Sequence, residues 1–233
     1  MTKGGTNYRM PDRRKDFTRD YLMMCLDESL ERLQTDYIDV YLLHVPDAGW
    51  QDREKAFDTL KEMKDSGKVR YTGLAMWGAN DTMHALSADT KDTLDVLECP
   101  FNILNKSNLE VVKLAKERDI AVLTSQPLAS GVLTGKYKVG TAFGEGDNRQ
   151  GFWTKERWEE LAADMEIIEE CAAKSSLSMT ELALAYNLSY EGISCVIPGG
   201  RNPKQVEGNV RAAGKRLDKD VMERLMQTKG FTY

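Results

Sequence analysis

Tyr37-Ile38-Asp39-Val40-Tyr41-Leu42-Leu43-His44-Val45-Pro46 is the stretch that decides the fold. Val, Ile, Tyr and Leu dominate a run too short for a globular helix, and Pro46 ends it, so it reads as a buried strand. His44, one of two histidines, stands at its C-terminal end. In a parallel α/β barrel that end of the strands carries the chemistry. A buried histidine with a hydrogen-bond partner is the competing reading of the same residue.

Outward from this strand the pattern alternates. Residues 1–17 are polar, rich in Gly and Arg, and read as a loop. Thr18 is a candidate N-cap, because its hydroxyl can accept from a free backbone N–H of the first turn. Helix 19–33 follows, with Leu22, Cys25, Leu26, Ser29, Leu30 and Leu33 on one burying face. After the strand come a loop with Pro46, Gly49 and Trp50, then helix 52–66 with Ala56, Leu60 and Met63 inward and Gly67 as its stop. Further strands are expected at 69–74, 94–97, 120–124 and 193–197. Helices are expected near 81–86, at 108–118 with Leu109, Val112 and Leu114 inward, and at 155–175, 178–190, 203–213 and 218–229. The Gly-rich stretch 127–153 reads as a long loop, and loops beyond ~15 residues in compact domains are usually functional or mobile. Five strands alternating with helices imply a mainly parallel sheet with right-handed crossovers.

The 233 residues carry a net charge of −5. That suits one domain over 1–233 with a sizeable core, and argues against nucleic acid or an anionic membrane as partner. Cys25, Cys99, Cys171 and Cys195 lie far apart without a C-x-x-C. Neither a metal site nor a disulfide framework is expected, and a reducing, cytoplasmic setting fits. No apolar run approaches the ~18 residues of a membrane span.

Five segments resemble the aldo-keto reductases, and in that family's order: SLERLQTDYIDVYLLHVPD (29–47), KEMKDSGKVRYTGLA (61–75), FNILN (101–105), PLASGVLTGKY (127–137) and IPGGRNPKQVEGN (197–209). The resemblance implies an α/β fold, the (β/α)8 TIM barrel, and NADPH-dependent reduction of aldehydes or ketones to alcohols by hydride transfer. Family catalysis uses an Asp, a Tyr, a Lys and a His. Lys3, in Thr2-Lys3-Gly4-Gly5, matches the Lys at the end of the third strand, and His44 matches the His at the end of the fourth. The Asp and Tyr precede that lysine in the family and find no match. Tyr8 and Asp12 follow Lys3 and read as loop residues.

On this reading the chain holds strands four to eight, with N-terminal units missing at ~30 residues per unit. The barrel would then be open or incomplete, from a truncated gene model or supplied by another chain. An isolated chain of this kind is expected as a C-shaped fragment of reduced stability or as a homo-oligomer that covers the gap. Strand 37–44 would lie near one exposed edge and strand 193–197 near the other, with a wet flank at His44.

For the cofactor, Pro198-Gly199-Gly200-Arg201-Asn202-Pro203 has the form of a turn at a helix N-terminus, where backbone N–H groups and a positive charge meet phosphate. The resemblance assigns Gly199, Arg201 and Gln205 to the adenosine-phosphate motif of NADP, with Asn209 facing the adenine, and Ser130 and Gly131 to the loop beneath the pyrophosphate. Departures fall at the nicotinamide end. Ala75-Met76 stands for the family's Ser-Asn, Glu98 for its Gln, and Ser125 for the aromatic that stacks on the ring. Ala and Met cannot form the carboxamide hydrogen bonds. His84 reads as surface or packing. Trp50, Trp77 and Trp153 are placed in loops, lining a substrate pocket or packing.

Three readings stay open. The first is a carbonyl reductase acting on a small-molecule substrate. The second is a nucleotide-binding or regulatory protein whose hydride chemistry is weakened. The third is a non-redox lyase or isomerase using Lys3 and His44.

Overall fold

Strand and helix alternate from Thr2 to Met226. The computed structural model describes residues 1–46, 50, 52–88 and 93–231; Asp47, which closes the segment 29–47, and Gly49 of the next loop lie outside them. The elements run β1 (Thr2–Gly4), α1 (Arg19–Leu33), β2 (Ile38–His44), α2 (Arg53–Asp65), β3 (Val69–Ala75), α3 (Ala79–Ala88), β4 (Val96–Pro100), α4 (Leu109–Glu117) and β5 (Ala121–Ser125). A 3-10 turn (Ala129–Thr134), α5 (Lys155–Lys174), α6 (Met179–Leu188), β6 (Ile193–Val196), α7 (Pro203–Val210) and α8 (Lys219–Met226) complete the order. The six strands stand in one sheet in chain order, and β1–β2, β2–β3 and β3–β4 pair in parallel. Two compact units make up the chain: Met1–Cys99 with Asn108–Leu123, and Pro100–Ser107 with Thr124–Tyr233.

In the first unit the register fixes which side chains share a face. Lys3 pairs with Leu42, Leu42 with Gly73, and Gly73 with Val96; two residues on, His44 pairs with Ala75 and Ala75 with Glu98. Side chains alternate along a strand, so Lys3, Leu42, His44, Ala75, Val96 and Glu98 fall on one face. Leu42, Ala75 and Val96 form an apolar cluster there, with Val40, Ala121 and Leu123 packed against it. Tyr41, Leu43, Leu74 and Leu97 take the opposite face and are buried. The Tyr41 hydroxyl donates to the Leu22 carbonyl of α1 at 3.4 Å, which shows that this second face meets the helices. Leu22, Leu26, Leu42, Leu43 and Leu60 are fully removed from water, each contributing about 1.5–3 kcal/mol of transfer free energy.

Several boundaries differ from the sequence reading. Thr2–Gly4, expected as loop, is a sixth strand paired with Tyr41–Leu43. Three residues ending in glycine carry no apolar run, so only the ladder offered by β2 makes them a strand. Strand 37–44 therefore has a neighbour on each side, β1 and β3, and lies next to the edge strand β1, as expected.

The strand expected at 94–97 lies at Val96–Pro100, buried at every position. Asp95, before it, is spent on side-chain contacts: its carboxylate takes the Thr72 N–H at 2.8 Å and Lys64 Nζ at 2.7 Å. Leu33 is 56% exposed, because α1 ends at Gln34 in the left-handed conformation. Thr18 occupies the N-cap position but its hydroxyl donates to Asp16 Oδ1 at 2.7 Å, not to the helix. Helix α4 buries Val111, Val112 and Ala115, leaving Leu109 and Leu114 half-buried.

The second unit is organised around α6, buried from Leu182 to Asn187 and started by a capping box between Ser178 and Glu181. Trp153 is buried against Trp158, Phe152 and Phe231, with ring centroids 5.1–5.4 Å apart. It is part of the core packing of this unit. In the first unit Trp50 likewise packs between Phe17 and Phe57, while Trp77 is exposed. His84 lies on the surface, as expected. Among the described residues no helix is long and apolar enough to cross a membrane, and no cluster could hold a metal ion.

Candidate active site

In the first unit, three polar side chains rise from the shared face. His44 ends β2 and Glu98 lies beside it two strands away, on the rung His44–Ala75–Glu98. Lys3 reaches from β1 and its Nζ meets Glu98 Oε1 at 2.6 Å. Glu98 is only 7% exposed, and its Oε2 is buried with no hydrogen-bond partner among the described residues. The carboxylate that stands for the family's Gln is therefore the counter-charge of the candidate catalytic lysine. Beside it, Ala75 and Met76 are buried in packing, and the Met76 N–H continues the ladder onto the Glu98 carbonyl at 2.8 Å.

His44 is half-buried and engaged. Its Nδ1 lies 2.9 Å from Thr6 Oγ1 and 3.4 Å from the Tyr8 hydroxyl. Lys15 Nζ donates to Thr6 Oγ1 and to the His44 carbonyl, both at 2.8 Å. Burial first, then the Lys15 and Lys3 ammonium groups, pushes the imidazole pKa down to about 4. The ring is neutral at physiological pH. The next residue, Val45, has φ of 51°, a left-handed conformation that a β-branched residue adopts at a cost of about 1–3 kcal/mol. Such strain is found where surrounding contacts over-determine a site.

Tyr8, Thr6 and Lys15 were not among the residues singled out for chemistry, since they belong to a polar segment that reads as solvated. No local pattern marks them. What brings them to His44 is the antiparallel bridge between Thr6 and Lys15, flanked by Asn7 N–H to Arg14 O and Asp16 N–H to Gly5 O, both 2.9 Å. Asp12 stays in the loop, accepting the Arg14 N–H at 3.2 Å.

The cofactor candidates lie in the second unit. Asn202 caps α7, its Oδ1 accepting the Gln205 N–H at 3.0 Å, with Pro203 at the first helical position. Gln205 Oε1 takes the Arg201 N–H at 2.7 Å, and Asn209 Nδ2 donates to the Gly199 carbonyl at 3.2 Å. Gly199, Arg201, Gln205 and Asn209 are thus tied into one turn. Two of its N–H groups, those of Arg201 and Gln205, are used internally. The Arg201 guanidinium is exposed and makes no ion pair among the described residues. It also acts on Asp147, whose carboxyl the hydrogen bonds from Arg149 hold well below the usual range.

Ser130 and Gly131 follow β5, both at positive φ, 54° and 96°. Gly131 needs its lack of Cβ twice over: for this backbone and because the Tyr137 ring would lie 3.3 Å from an added carbon. Arg149 pins the turn, its Nη1 donating to the Tyr137 hydroxyl at 2.9 Å and to the Ser130 carbonyl at 3.3 Å. The sequence reading missed Arg149 inside the long Gly-rich stretch. Against NADP the residues fit in part. The turn with an unpaired guanidinium suits a nucleotide phosphate, whereas Ala75 and Met76 supply no donor or acceptor side chain for a carboxamide.

Helices alternating with parallel strands in chain order define the TIM-barrel class of α/β fold. The chain belongs to the aldo/keto reductase family, whose model matches residues 1–229. It is 30% identical over 211 residues to the NADP(+) aldo-keto reductase yakc of Schizosaccharomyces pombe, covering 89% of this chain and 62% of that protein. It is 28% identical over 201 residues to the L-galactose dehydrogenase of Arabidopsis thaliana, covering 84% and 59%. Among solved structures, the glycerol dehydrogenase of Gluconobacter oxydans superposes with a TM-score of 0.79 at 23% identity, over 94% of this chain and 68% of that one. The chain spans about three fifths of the length of the curated relatives it matches.

Proposed function

We propose that the chain serves NADPH-dependent reduction of a small-molecule aldehyde or ketone to its alcohol. The observation that carries this reading is the Arg201 guanidinium, exposed and without an ion pair among the described residues, at a turn that Gln205 and Asn209 hold in shape. Gly199, Arg201 and Gln205 bind the adenosine phosphate, Asn209 faces the adenine, and Ser130 and Gly131 pass beneath the pyrophosphate. Bound NADPH supplies the hydride. His44, neutral, donates a hydrogen bond to the substrate carbonyl oxygen and orients it. The Lys3 ammonium stabilises negative charge developing on that oxygen, with Glu98 as its fixed partner, and the alkoxide left by hydride addition takes its proton from solvent water.

Calorimetric titration with NADPH and NADH tests it. The wild type binds NADPH more tightly, and Arg201→Ala weakens NADPH by about 1.5–3 kcal/mol, the range of a charge-assisted contact. Equal binding of both dinucleotides, before and after the change, ends the assignment.

The buried pair Ala75-Met76 favours a second reading, a nucleotide-binding or regulatory member with weakened hydride chemistry or a non-redox lyase or isomerase built on Lys3 and His44. NADPH oxidation with an activated aromatic aldehyde separates the two. Turnover near the ordinary ~1–10³ s⁻¹ supports the first reading, and tight binding without turnover supports the second.

A further inference from the structure

The segment from Gly5 to Asp16 folds back so that Thr6 and Lys15 meet beside His44. We infer that Thr6 and Lys15 are positioning residues that hold His44 as the neutral tautomer with its proton on Nε2. An ammonium group has donors and no acceptor. Lys15 Nζ, 2.8 Å from Thr6 Oγ1, therefore donates to that oxygen. The Thr6 hydroxyl keeps one proton to give, and its other contact is His44 Nδ1 at 2.9 Å. Nδ1 accepts it through its lone pair, and the ring proton sits on Nε2.

The opposite tautomer is disfavoured on two counts. It would aim Nδ1–H at an oxygen already bound to an ammonium, and it would leave the Thr6 hydroxyl proton with no acceptor among the described residues. The Tyr8 hydroxyl, 3.4 Å from the same nitrogen, is a longer donor of the same sense. Lys15 also grips the His44 carbonyl at 2.8 Å, so one side chain fixes both the ring's partner and the backbone that carries the ring. Among the described residues, the Lys15 and Lys3 ammonium groups face the ring, and both oppose a second proton. His44 is thereby a constant single donor. Its use toward a carbonyl oxygen rests on the function proposed above, whereas the tautomer does not.

The whole 233-residue chain, labelled with ¹⁵N-histidine, tests this by two-bond ¹H–¹⁵N correlation. It has only two histidines, and His84→Gln assigns their signals. Near neutral pH His44 gives the Nε2–H pattern in the wild type and in Thr6→Ser, and a mixed or reversed pattern in Thr6→Val. Lys15→Met keeps the tautomer but raises the His44 titration midpoint by about one pH unit or more, since a like charge has been removed. An Nδ1–H pattern in the wild type, or an unchanged pattern in Thr6→Val, overturns the role of Thr6. An unmoved midpoint in Lys15→Met overturns that of Lys15. The spectra need neither cofactor nor turnover, so failure to reduce a carbonyl would sink the functional reading and leave this one standing.

Discussion

Lys3 Nζ and Glu98 Oε1 stand 2.6 Å apart on one face of the sheet, joining β1 to β4 across two intervening strands. The carboxylate is almost wholly buried and the ammonium is about two-thirds buried. Removing one charge of such a pair is costlier than neutralising the buried member. Lys3→Met should destabilise the chain by about 3 kcal/mol, because Glu98 would keep a buried charge with neither oxygen paired. Glu98→Gln should cost about 1 kcal/mol, since an amide oxygen can still accept from Lys3. Urea unfolding near pH 7 gives the order; a Lys3→Met variant no less stable than Glu98→Gln would contradict the pairing.

Acid sensitivity follows from His44. Folded, its imidazole titrates at about 4; unfolded, near 6.5. Between those values the unfolded chain binds a proton that the folded chain refuses. The stability contribution is therefore full above about pH 6.5 and is lost as pH falls toward 4. The ring is partly exposed and solvent-screened, so the loss attributable to it is about 1–2 kcal/mol, below the full linkage value. Urea midpoints near pH 7 and near pH 4 should fall less in His44→Gln than in the wild type. Equal losses would show that other groups govern the acid limb.

Gly73 of β3 pairs with Val96 of β4 in the parallel register. A Cβ there would lie 1.8 Å from the Val96 carbonyl oxygen, which is backbone and cannot swing aside. Gly73→Ala should cost at least about 3 kcal/mol or prevent folding, the scale of overpacking at a site that cannot relax. Gly144→Ala is the control for handling, with open space around the added carbon. A Gly73→Ala protein as stable as wild type would mean that the β3–β4 register is different.

What was legible in the sequence was whatever local periodicity or chain order encodes. The β2 run, α1, α2 and the two long helices α5 and α6 came out within about two residues, because their apolar spacing is strong and their ends carry caps or glycines. Thr2–Gly4 carries no strand pattern of its own and was placed at the end of a strand only through the resemblance at Lys3, because its reason for being one lies in Tyr41–Leu43. Val96–Pro100 was misplaced because Glu98 and Pro100 look like strand ends until Lys3 supplies the counter-charge. The site divides the same way. His44 is marked by its strand, and Arg201 by its turn. Thr6, Lys15 and Arg149 act through contacts made in the folded chain, and their neighbours in sequence give no sign of it.

The C-terminal segment of the second unit is held by one carboxylate. Asp164 of α5, 4% exposed, accepts the Lys229 N–H at 3.0 Å and the Gly230 N–H at 2.7 Å, one on each oxygen. Around it the Phe231 N–H reaches the Leu104 carbonyl at 2.7 Å, and Lys106 Nζ donates to Thr228 Oγ1 at 2.7 Å. Those contacts place the Phe231 ring edge-on to Trp153, with centroids 5.3 Å apart. Asp164→Ala would leave two half-buried backbone donors without their acceptor, a loss of about 1–2 kcal/mol. Asp164→Asn keeps one acceptor oxygen and should lose about half of that. Because α5 itself gains or loses nothing local, the change should appear first at the segment 228–231: protease cleavage there speeds up, and tryptophan emission shifts as Phe231 leaves Trp153. If Asp164→Ala cleaves no faster than wild type, the segment is held by Lys106 and the Leu104 carbonyl alone, and the carboxylate is dispensable.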